Sequence, residues 1–426
     1  MRYYLLIMPI LALLNISEAQ NYPTFPVGQI WNFPEARSLG LAGAGSVSHA
    51  APGALILNPA SLSQIDQQVS ADIALNLRKL EERRSYPLYD RFDSFLTDAT
   101  YAINNNWYPR LQGGLAWRLP GNLLPNLTLA AGAYTHIDFR YSYLEEVREN
   151  VFGDELIAYN RIEGEGVLQR YSLGIASDVP GFPALSLGLQ AGFLQGNVDY
   201  RKEVNYVDSG DRLEIEDQSR ELDNTPLLLS FGSVYQASER IRAGLDIALP
   251  YKISYVSNTN DELLTETIEY PLKLNAGLEY RARQELQARL NIDIGFEFWS
   301  NSEYTSQIGG NVPQSQEFSN VFSIKAGIEH IFYNQIPFRV GAQYRTSYLA
   351  SGTTQTLLAA GTGFFNESWQ IDLAGGFGRV TYRWEDLFDD TLFVNNPNFR
   401  NRVDLDTVDE STFLAIISFR YAINFK

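Results

Sequence analysis

The sequence "TFLAIISFRYAINFK", residues 412–426, is the stretch that decides the fold. Every second residue is apolar or aromatic, and a period of two places these residues on one face of a β-strand. That face comprises Phe413, Ala415, Ile417, Phe419, Tyr421, Ile423 and Phe425. The segment is much longer than the five or six residues usual for soluble strands. It therefore predicts a tilted strand that crosses a bilayer.

The same alternation recurs along the chain. In "LTLAAGAYTHIDFRY", residues 127–141, the predicted lipid face is Leu127, Leu129, Ala131, Ala133, Ile137 and Phe139. Pairing such segments across turns gives about fourteen strands, and an even number is typical of single-chain bacterial barrels. The predicted strand starts lie near residues 67, 107, 127, 157, 184, 222, 241, 265, 286, 320, 337, 354, 369 and 412. The predicted class is all-β, a transmembrane antiparallel β-barrel. A soluble β-sandwich also explains alternation, but not strands of this length.

Connections alternate between short turns and long polar stretches. The predicted long loops are residues 80–106, 145–155, 208–221, 258–263, 302–319 and 385–411. Outer-membrane barrels have short periplasmic turns and long extracellular loops. The pattern therefore predicts both the membrane and the orientation.

Composition excludes several classes of protein. A net charge of −17 and a pI near 4.7 argue against nucleic-acid binding. The absence of cysteine excludes disulfides and thiolate metal sites. The three histidines lack zinc-like spacing, and no nucleophile elbow, P-loop or dinucleotide motif occurs. We therefore expect neither an enzyme nor a cofactor or metal site.

The N-terminus predicts export. Arg2, the apolar run "YYLLIMPILALL" and the small residues Ser17 and Ala19 form a signal-peptide pattern over residues 1–19. With the barrel, residues 67–426, this predicts an integral multi-pass protein of the outer membrane of a Gram-negative bacterium.

Residues 20–66 lie between the signal peptide and the barrel and lack the period of two. Their core is "FPEARSLGLAGAGSVSHAAPGALILNPASLSQ", residues 33–64. Asn58 followed by Pro59 is a typical helix start, and Gly40, Gly43 and Gly45 permit close packing and unusual backbone angles. Because a barrel of this size has a lumen too wide for wall side chains to fill, we predict an N-terminal plug of short helical turns. A periplasmic tail or disordered leader is the alternative.

Charged residues on the polar face of the predicted strands should face the lumen. They are Arg118, His136, Asp138, Arg140, Asp246, Lys252, Lys273, Glu279, Arg289, Asp293, Glu297, Lys325, Glu329, Arg339, Arg345 and Asp372. The signs are balanced, which favours a network that braces the wall and plug over an ion pore.

Before the predicted barrel the chain contains "ARSLGLAGAG…APGALILNPASL", residues 36–62, and it continues with amphipathic strands and ends with an aromatic-rich strand. This order resembles the FadL/TodX family of outer-membrane transporters for hydrophobic compounds. In that family an Asn-Pro-Ala motif lies in an N-terminal hatch, and Asn58, Pro59 and Ala60 match it here. The resemblance implies passive uptake of a hydrophobic small molecule such as a long-chain fatty acid. It also implies contact with membrane lipid and the outer-membrane assembly machinery, and a monomer. The chain departs from common practice by ending with Lys426 after Phe425.

Two further expectations concern the ligand and the gate. Residues 58–60 with Gly40, Gly43 and Gly45 are the candidate gating residues. Possible ligand-contacting residues in the first long loop are Tyr86, Leu88, Phe92, Phe95 and Trp107. The alternative for these side chains is packing within the loop. The alternative functions are a PorV-like barrel that serves protein secretion or binds cargo, and a general diffusion porin.

Overall fold

The computed structural model describes residues 27–90, 92, 94–120, 124–149, 155–259, 262–282, 287–306, 318–332, 336–348, 354–393 and 405–424. The predicted signal peptide and the terminal Phe425–Lys426 lie outside the described residues.

Strands dominate the described chain. In chain order the elements are β1 (Gln29–Ile30), α1 (Ala36–Gly40), α2 (Ala54–Leu57), a 3-10 helix (Pro59–Gln64), β2 (Val69–Tyr89), β3 (Phe95–Arg118), β4 (Thr128–Asp138), β5 (Tyr141–Arg148), β6 (Leu156–Val179), β7 (Phe182–Gln195), β8 (Asn197–Tyr206), β9 (Arg212–Leu222), β10 (Leu227–Ser238), β11 (Ile241–Ala248), β12 (Tyr251–Thr259), β13 (Glu262–Tyr270), β14 (Lys273–Arg281), β15 (Ala288–Glu297), a 3-10 helix (Trp299–Asn301), β16 (Tyr304–Ser306), β17 (Val321–Ile331), β18 (Pro337–Thr346), β19 (Thr354–Phe365), β20 (Trp369–Trp384), a 3-10 helix (Asp390–Phe393) and β21 (Asp406–Ile423).

Fourteen of these strands close into an antiparallel barrel. The order is β2-β3-β4-β6-β7-β10-β11-β14-β15-β17-β18-β19-β20-β21, and β21 pairs back with β2 from Val69↔Ile423 to Ser85↔Thr407. Closure gives each of these strands a hydrogen-bonded neighbour on both sides, which suits a membrane, where an unpaired backbone group is costly. The predicted fold class is confirmed.

A second sheet extends the barrel on the side of the long connections. It runs β5-β6-β8-β9-β12-β13-β16, and β6 belongs to both sheets. We call it the extension sheet. Two predicted loops were wrong here, because residues 80–106 belong mostly to β2 and β3, and residues 208–221 include most of β9.

Most predicted strand starts agree with the structure within a few residues. The largest differences are at β3, which begins at Phe95 instead of near 107, and at β14, which begins at Lys273 instead of near 265. Residues near 265 belong to β13, and Pro271 separates it from β14. Proline has no N–H to donate to a ladder, so it ends the pairing there.

The outer face of the barrel is apolar and has aromatic residues at both margins. On β21 the exposed side chains of Phe413, Ile417, Phe419 and Tyr421 share this face. Phe413 and Tyr421 lie eight residues apart, about 20 Å along the axis of a barrel with strands tilted near 40°. This height matches the apolar band of a membrane barrel.

The lipid face predicted for residues 127–141 is wrong at Ile137 and Phe139 because of a local irregularity in β4. A bulge between Thr135 and Ile137 shifts the register of β4 against β6. A bulge adds a residue and turns the following side chains to the other face. Ile137 and Phe139 are therefore buried inside instead of facing lipid, as predicted, and β1 pairs with β4 at Ile137 and Asp138.

Residues 27–66 fill the lumen, and we call them the plug. Its helical turns are short, and most of its side chains are buried. Within the part of the chain described above, no helix is long and apolar enough to span a membrane.

Candidate functional site

The candidate site is built around the plug, and its first feature is a tight turn after α1. Gly43 and Gly45 have φ angles of 79° and 96°, and Ala42 has 52°. This left-handed region favours glycine. Gly40 instead allows a close approach to the wall, because a Cβ on it would lie 3.2 Å from the Cα of Gly361.

The Asn58-Pro59-Ala60 motif caps the plug's 3-10 helix. The Asn58 Oδ1 accepts a hydrogen bond from the Ala60 N–H at 3.1 Å, and its Nδ2 donates to the Ser233 carbonyl of β10 at 3.3 Å. Pro59 is the first helical residue, where its missing N–H costs nothing. The motif therefore shapes the plug and attaches it to the wall.

Glycines in the wall let the plug lie directly on the barrel backbone. Three pairs face it in register: Gly188↔Gly232, Gly244↔Gly277 and Gly327↔Gly341. A Cβ on these glycines would overlap or press on plug residues 58–60, 46–47 and 41–42 respectively. We call them the glycine pairs.

Buried ion pairs also join the plug to the wall. Arg37 Nε lies 2.7 Å from Glu329 Oε2, and Arg339 bridges Glu329 and Asp372 at 3.3 and 2.7 Å. Since removing one partner of a buried pair leaves an uncompensated charge, these contacts resist separation.

A second group centres on Glu35 of the plug. Its carboxylate lies 3.1 Å from His49 Nε2 and 2.8 Å from Arg420 Nη2 of β21. Burial alone would raise the pKa of the Glu35 carboxyl, but His49, Arg420 and Arg37 together hold that pKa well below its usual range. His49 is itself buried in this group.

Most of the other charges predicted to face the lumen do so in pairs. Arg345 lies 3.0 Å from Glu297, and Lys273 lies 3.7 Å from the same carboxylate. Arg140 and Asp138 follow the β4 bulge and pair at 2.9 Å beside β3. Lys252 is an exception, because it belongs to the extension sheet, is largely exposed and pairs with Glu269. The lumen is therefore lined by mixed-sign pairs, as a bracing network requires.

Two small neighbouring cavities lie beside the plug on the side of the extension sheet. Their volumes are about 150 and 130 Å³, and they share Asn32, Gly43, Glu297, Ser323 and Lys325 as lining residues. Apolar walls come from Trp31, Phe33, Leu357 and Leu414 in the first and from Ile56, Leu228 and Phe296 in the second. We call them the upper cavities.

A larger polar cavity of about 400 Å³ lies on the opposite side of the plug, near the short turns. Arg242, Arg281 and Arg289 line it and surround the buried Glu279 carboxylate at 3.5, 3.1 and 3.9 Å. Its polar lining contrasts with the upper cavities, and the plug separates the two sides.

The barrel wall is broken next to the upper cavities. Backbone pairing between β3 and β4 runs from Arg118↔Thr128 to Gly113↔Ala133 and stops, although both strands continue. Instead of backbone bonds, Arg110 contacts Asp138, and Arg140 donates to the Pro109 carbonyl at 2.9 Å. We call this the wall break.

Trp31 of the plug stands between the wall break and the first upper cavity. The Arg110 guanidinium lies 4.2 Å from the Trp31 ring centroid, and Gln112 of β3 donates to the Phe33 and Pro34 carbonyls at 2.6 and 2.7 Å. β3 is therefore joined to β4 here only through side chains, whereas the plug backbone lies against β4, with the Trp31 N–H donating to the His136 carbonyl at 2.9 Å.

The mouth on the extension-sheet side is capped. Leu387, Phe388 and Phe393 follow β20 and pack inside the extension sheet against Tyr143, Tyr206 and their neighbours. The Lys202 ammonium lies 5.0 Å from the Phe388 ring, and burial lowers the pKa of this lysine. We call residues 385–393 the mouth cap.

The predicted ligand-contacting residues lie along the β2–β3 hairpin. Leu88, Phe92, Phe95 and Trp107 are exposed, and Tyr86 packs 5.9 Å from Tyr101. Trp107 pairs with Lys79 on the outer face of the barrel. None of the five lines the cavities described above, so their ligand contact stays a prediction.

Histidine chemistry is limited among the described residues. His136 is buried in the lumen with its Nε2 2.7 Å from the Tyr251 hydroxyl. Across the described ranges no three His, Asp or Glu side chains are arranged to hold a metal ion.

Several site residues were missed from the sequence. Trp31, Phe33 and Gln112 carry no local signal, because their role depends on how β3 and β4 separate. The glycine pairs did have a local signal in the sequence, because Gly232, Gly277 and Gly341 each fall on the polar, inward face of a strand.

Comparison with solved structures places this architecture among known folds. The chain is similar to a Pseudomonas aeruginosa FadL homologue (TM-score 0.67, 15% identity, 93% of this chain and 100% of that chain). It is also similar to the Ralstonia pickettii toluene transporter TbuX (0.59, 14%, 92% and 98%) and the P. putida toluene transporter TodX (0.58, 13%, 93% and 100%). No protein-family model and no curated protein matches the chain. The chain therefore has the fold of FadL-type plugged barrels.

Proposed function

We propose that this protein is an outer-membrane transporter for passive uptake of hydrophobic small molecules. The observation that carries the proposal is the position of the upper cavities, which lie behind Trp31 at the wall break. At this level no backbone pairing joins β3 to β4, so a ligand that enters these cavities can reach the lipid without breaking that part of the ladder. Structures with this fold include the toluene transporters TbuX and TodX.

The route that we propose begins at the extension-sheet side. The mouth cap opens, the ligand occupies the upper cavities, and displacement of Trp31 releases it sideways through the wall break. Aromatic and aliphatic lining suits an apolar body, and a few polar groups such as Lys325 suit a polar end. Long-chain fatty acids and aromatic hydrocarbons both meet this description.

Under this proposal residues 20–66 form the hatch, residues 1–19 are removed on export, and the barrel works as a monomer. Asn58, Pro59 and Ala60 hold the hatch to β10, so they set its stability. Loosening them should change uptake more than it changes barrel stability.

The test is uptake by cells that lack other transporters for apolar compounds. Cells that express the protein should take up labelled toluene or oleate faster than cells with an empty vector, and a labelled sugar at the same rate. Trp31→Ala should change the rate of apolar uptake, whereas Phe364→Ala, on the exposed outer face, should not. Equal acceleration of sugar entry would indicate a diffusion porin, and no acceleration of any compound would refute transport.

The protein-binding alternative has one observation in its favour. The mouth cap is packed and the β2–β3 hairpin exposes Leu88, Phe92, Phe95 and Leu96 above it. A PorV-like barrel would present such a surface to a partner. Native mass spectrometry of the purified protein separates the two: a bound apolar molecule supports transport, and a stoichiometric protein with an empty lumen supports the alternative.

A further inference from the structure

Four basic side chains cluster on the outer face of the barrel. Lys79 and Arg83 of β2 point outward with Ile73 and Leu75, and Arg379 and Arg383 of β20 point outward with Phe377. β21 lies between these strands: Arg83 is opposite Asp409, and Asp409 is opposite Thr381, two residues before Arg383. We call Lys79, Arg83, Arg379 and Arg383 the basic patch.

The basic patch begins where the apolar band ends. Phe413 lies opposite both Lys79 and Phe377, and the two phenyl rings are 4.8 Å apart at the upper aromatic margin. The Lys79 ammonium lies 5.5 Å from the Phe413 ring, so its apolar stem covers the margin while its charge points away from the hydrocarbon. Below this level the exposed residues are apolar, including Ile417, Phe419 and Leu373. The patch is therefore at the height of lipid headgroups.

The patch keeps an excess of positive charge. Lys79 lies 3.4 Å from Glu81, and Arg379 lies 3.1 Å from Asp409. Arg83 and Arg383 are exposed and make no ion pair with any residue that the structure describes. Four cations and two carboxylates leave two positive charges, on a chain whose net charge is −17.

We propose that the basic patch binds the phosphorylated headgroup of an outer-leaflet glycolipid. Guanidinium groups bind phosphate with two parallel hydrogen bonds, and their fixed charge suits a site at a lipid interface. Basic residues at a membrane surface attract anionic lipids by about 1 kcal/mol each. The aromatic margin below would hold the upper ends of the acyl chains. This inference rests on the proposed outer-membrane location and not on uptake.

The test uses the whole detergent-purified protein and lipid A as the probe, with binding measured by native mass spectrometry. Arg83→Gln/Arg383→Gln should bind lipid A about thirty-fold more weakly, which is about five-fold for each lost cation. The matched control is Arg201→Gln/Arg212→Gln, which removes two exposed arginines from the extension sheet. It should bind lipid A as the unaltered protein does.

The unaltered protein gives a second readout if the double variant does not fold. Binding should weaken as salt rises and should fall strongly for lipid A stripped of its phosphates. Three results would each overturn the proposal. The dephosphorylated lipid could bind as tightly as lipid A, or the control variant could lose as much lipid A affinity as the double variant. Inorganic phosphate could also bind saturably and abolish the preference for the lipid. Apolar uptake by Arg83→Gln/Arg383→Gln should stay normal, so failure here is distinguishable from failure of the transport proposal.

Discussion

The glycine pairs predict that one methyl group on the wall will loosen the plug. In Gly341→Ala the new Cβ would overlap the Leu41 carbonyl carbon and lie 2.6 Å from the Ala42 nitrogen. Both neighbours are plug backbone, so no flexible side chain can turn away. Carbon contacts are favourable near 3.5 Å or beyond, and the plug must therefore move by about 1 Å or detach at this point.

The expected cost is about 1–3 kcal/mol, the range for overpacking of a close-packed interior. Because a tenfold change corresponds to about 1.4 kcal/mol, the fraction of molecules with a detached plug should rise about 5- to 150-fold. The hydrogen-bonded ladder of β17, β18 and β19 is unchanged by the substitution, so the barrel itself should remain folded.

The assay is single-channel current in a planar lipid bilayer, where a detached plug gives open events. Gly375→Ala is the matched control, since Gly375 lies on the outer face and a Cβ there would meet only the Leu414 carbonyl oxygen, at 3.8 Å. Gly341→Ala should open more often than the control, and heat-modified gel mobility should confirm that both are folded barrels. Equal opening frequencies would refute the claim that the plug rests on the wall at this glycine.

Four other perturbations test the plug and the mouth cap. Asn58→Ala removes the cap of the 3-10 helix and the bond to Ser233, and should destabilise the plug by about 0.5–2 kcal/mol, measured as faster proteolysis within it. Pro59→Ala keeps both bonds and should change apolar uptake more than it changes the melting temperature of the barrel. The pKa of Glu35 is depressed in the folded protein, so the ionised carboxylate stabilises the plug fully above the ordinary glutamate pKa, and this contribution is lost as the pH falls toward the folded pKa. Open events in bilayers should therefore become more frequent on acidification. Glu35→Gln should abolish that pH dependence. Phe388→Ala should loosen the mouth cap by about 3–5 kcal/mol and raise the rate at which the lumen admits an apolar fluorophore, with Phe332→Ala on the outer face as the control.

The sequence predicted the elements whose signal is local and repeated. Alternation over β21 and β2 identified the strands, and the pairing of such segments across turns gave their number. The Asn58-Pro59 pair likewise predicted a capped helical turn, which is observed. These features follow from period, capping and turn chemistry, which act within a few residues.

The features that form the candidate site depend on contacts between distant residues. The β4 bulge reverses which face Ile137 occupies, and no residue type in 127–141 marks it. The wall break follows from this reversal, because β4 then pairs with β1 of the plug and leaves β3. Similarly, the polar composition of residues 80–106 predicted a loop, whereas pairing across the β2–β3 hairpin continues to Tyr89↔Phe95. Polar strands outside the membrane lack the apolar face on which the prediction depended.

The same contacts decide which boundary of the upper cavities is easier to open. Passage through the plug requires separating the plug from three glycine pairs and breaking the Arg37–Glu329 contact. A single broken buried ion pair costs about 3–5 kcal/mol. Passage through the wall break requires moving only the side chains of Trp31 and Arg110, because β3 and β4 have no backbone hydrogen bond to lose at that level. The Arg110 charge keeps partners if it moves outward, because Asp138 lies at the edge of the break with Arg140. Under the proposed function, the lateral route therefore has the lower cost for an apolar ligand that leaves the upper cavities.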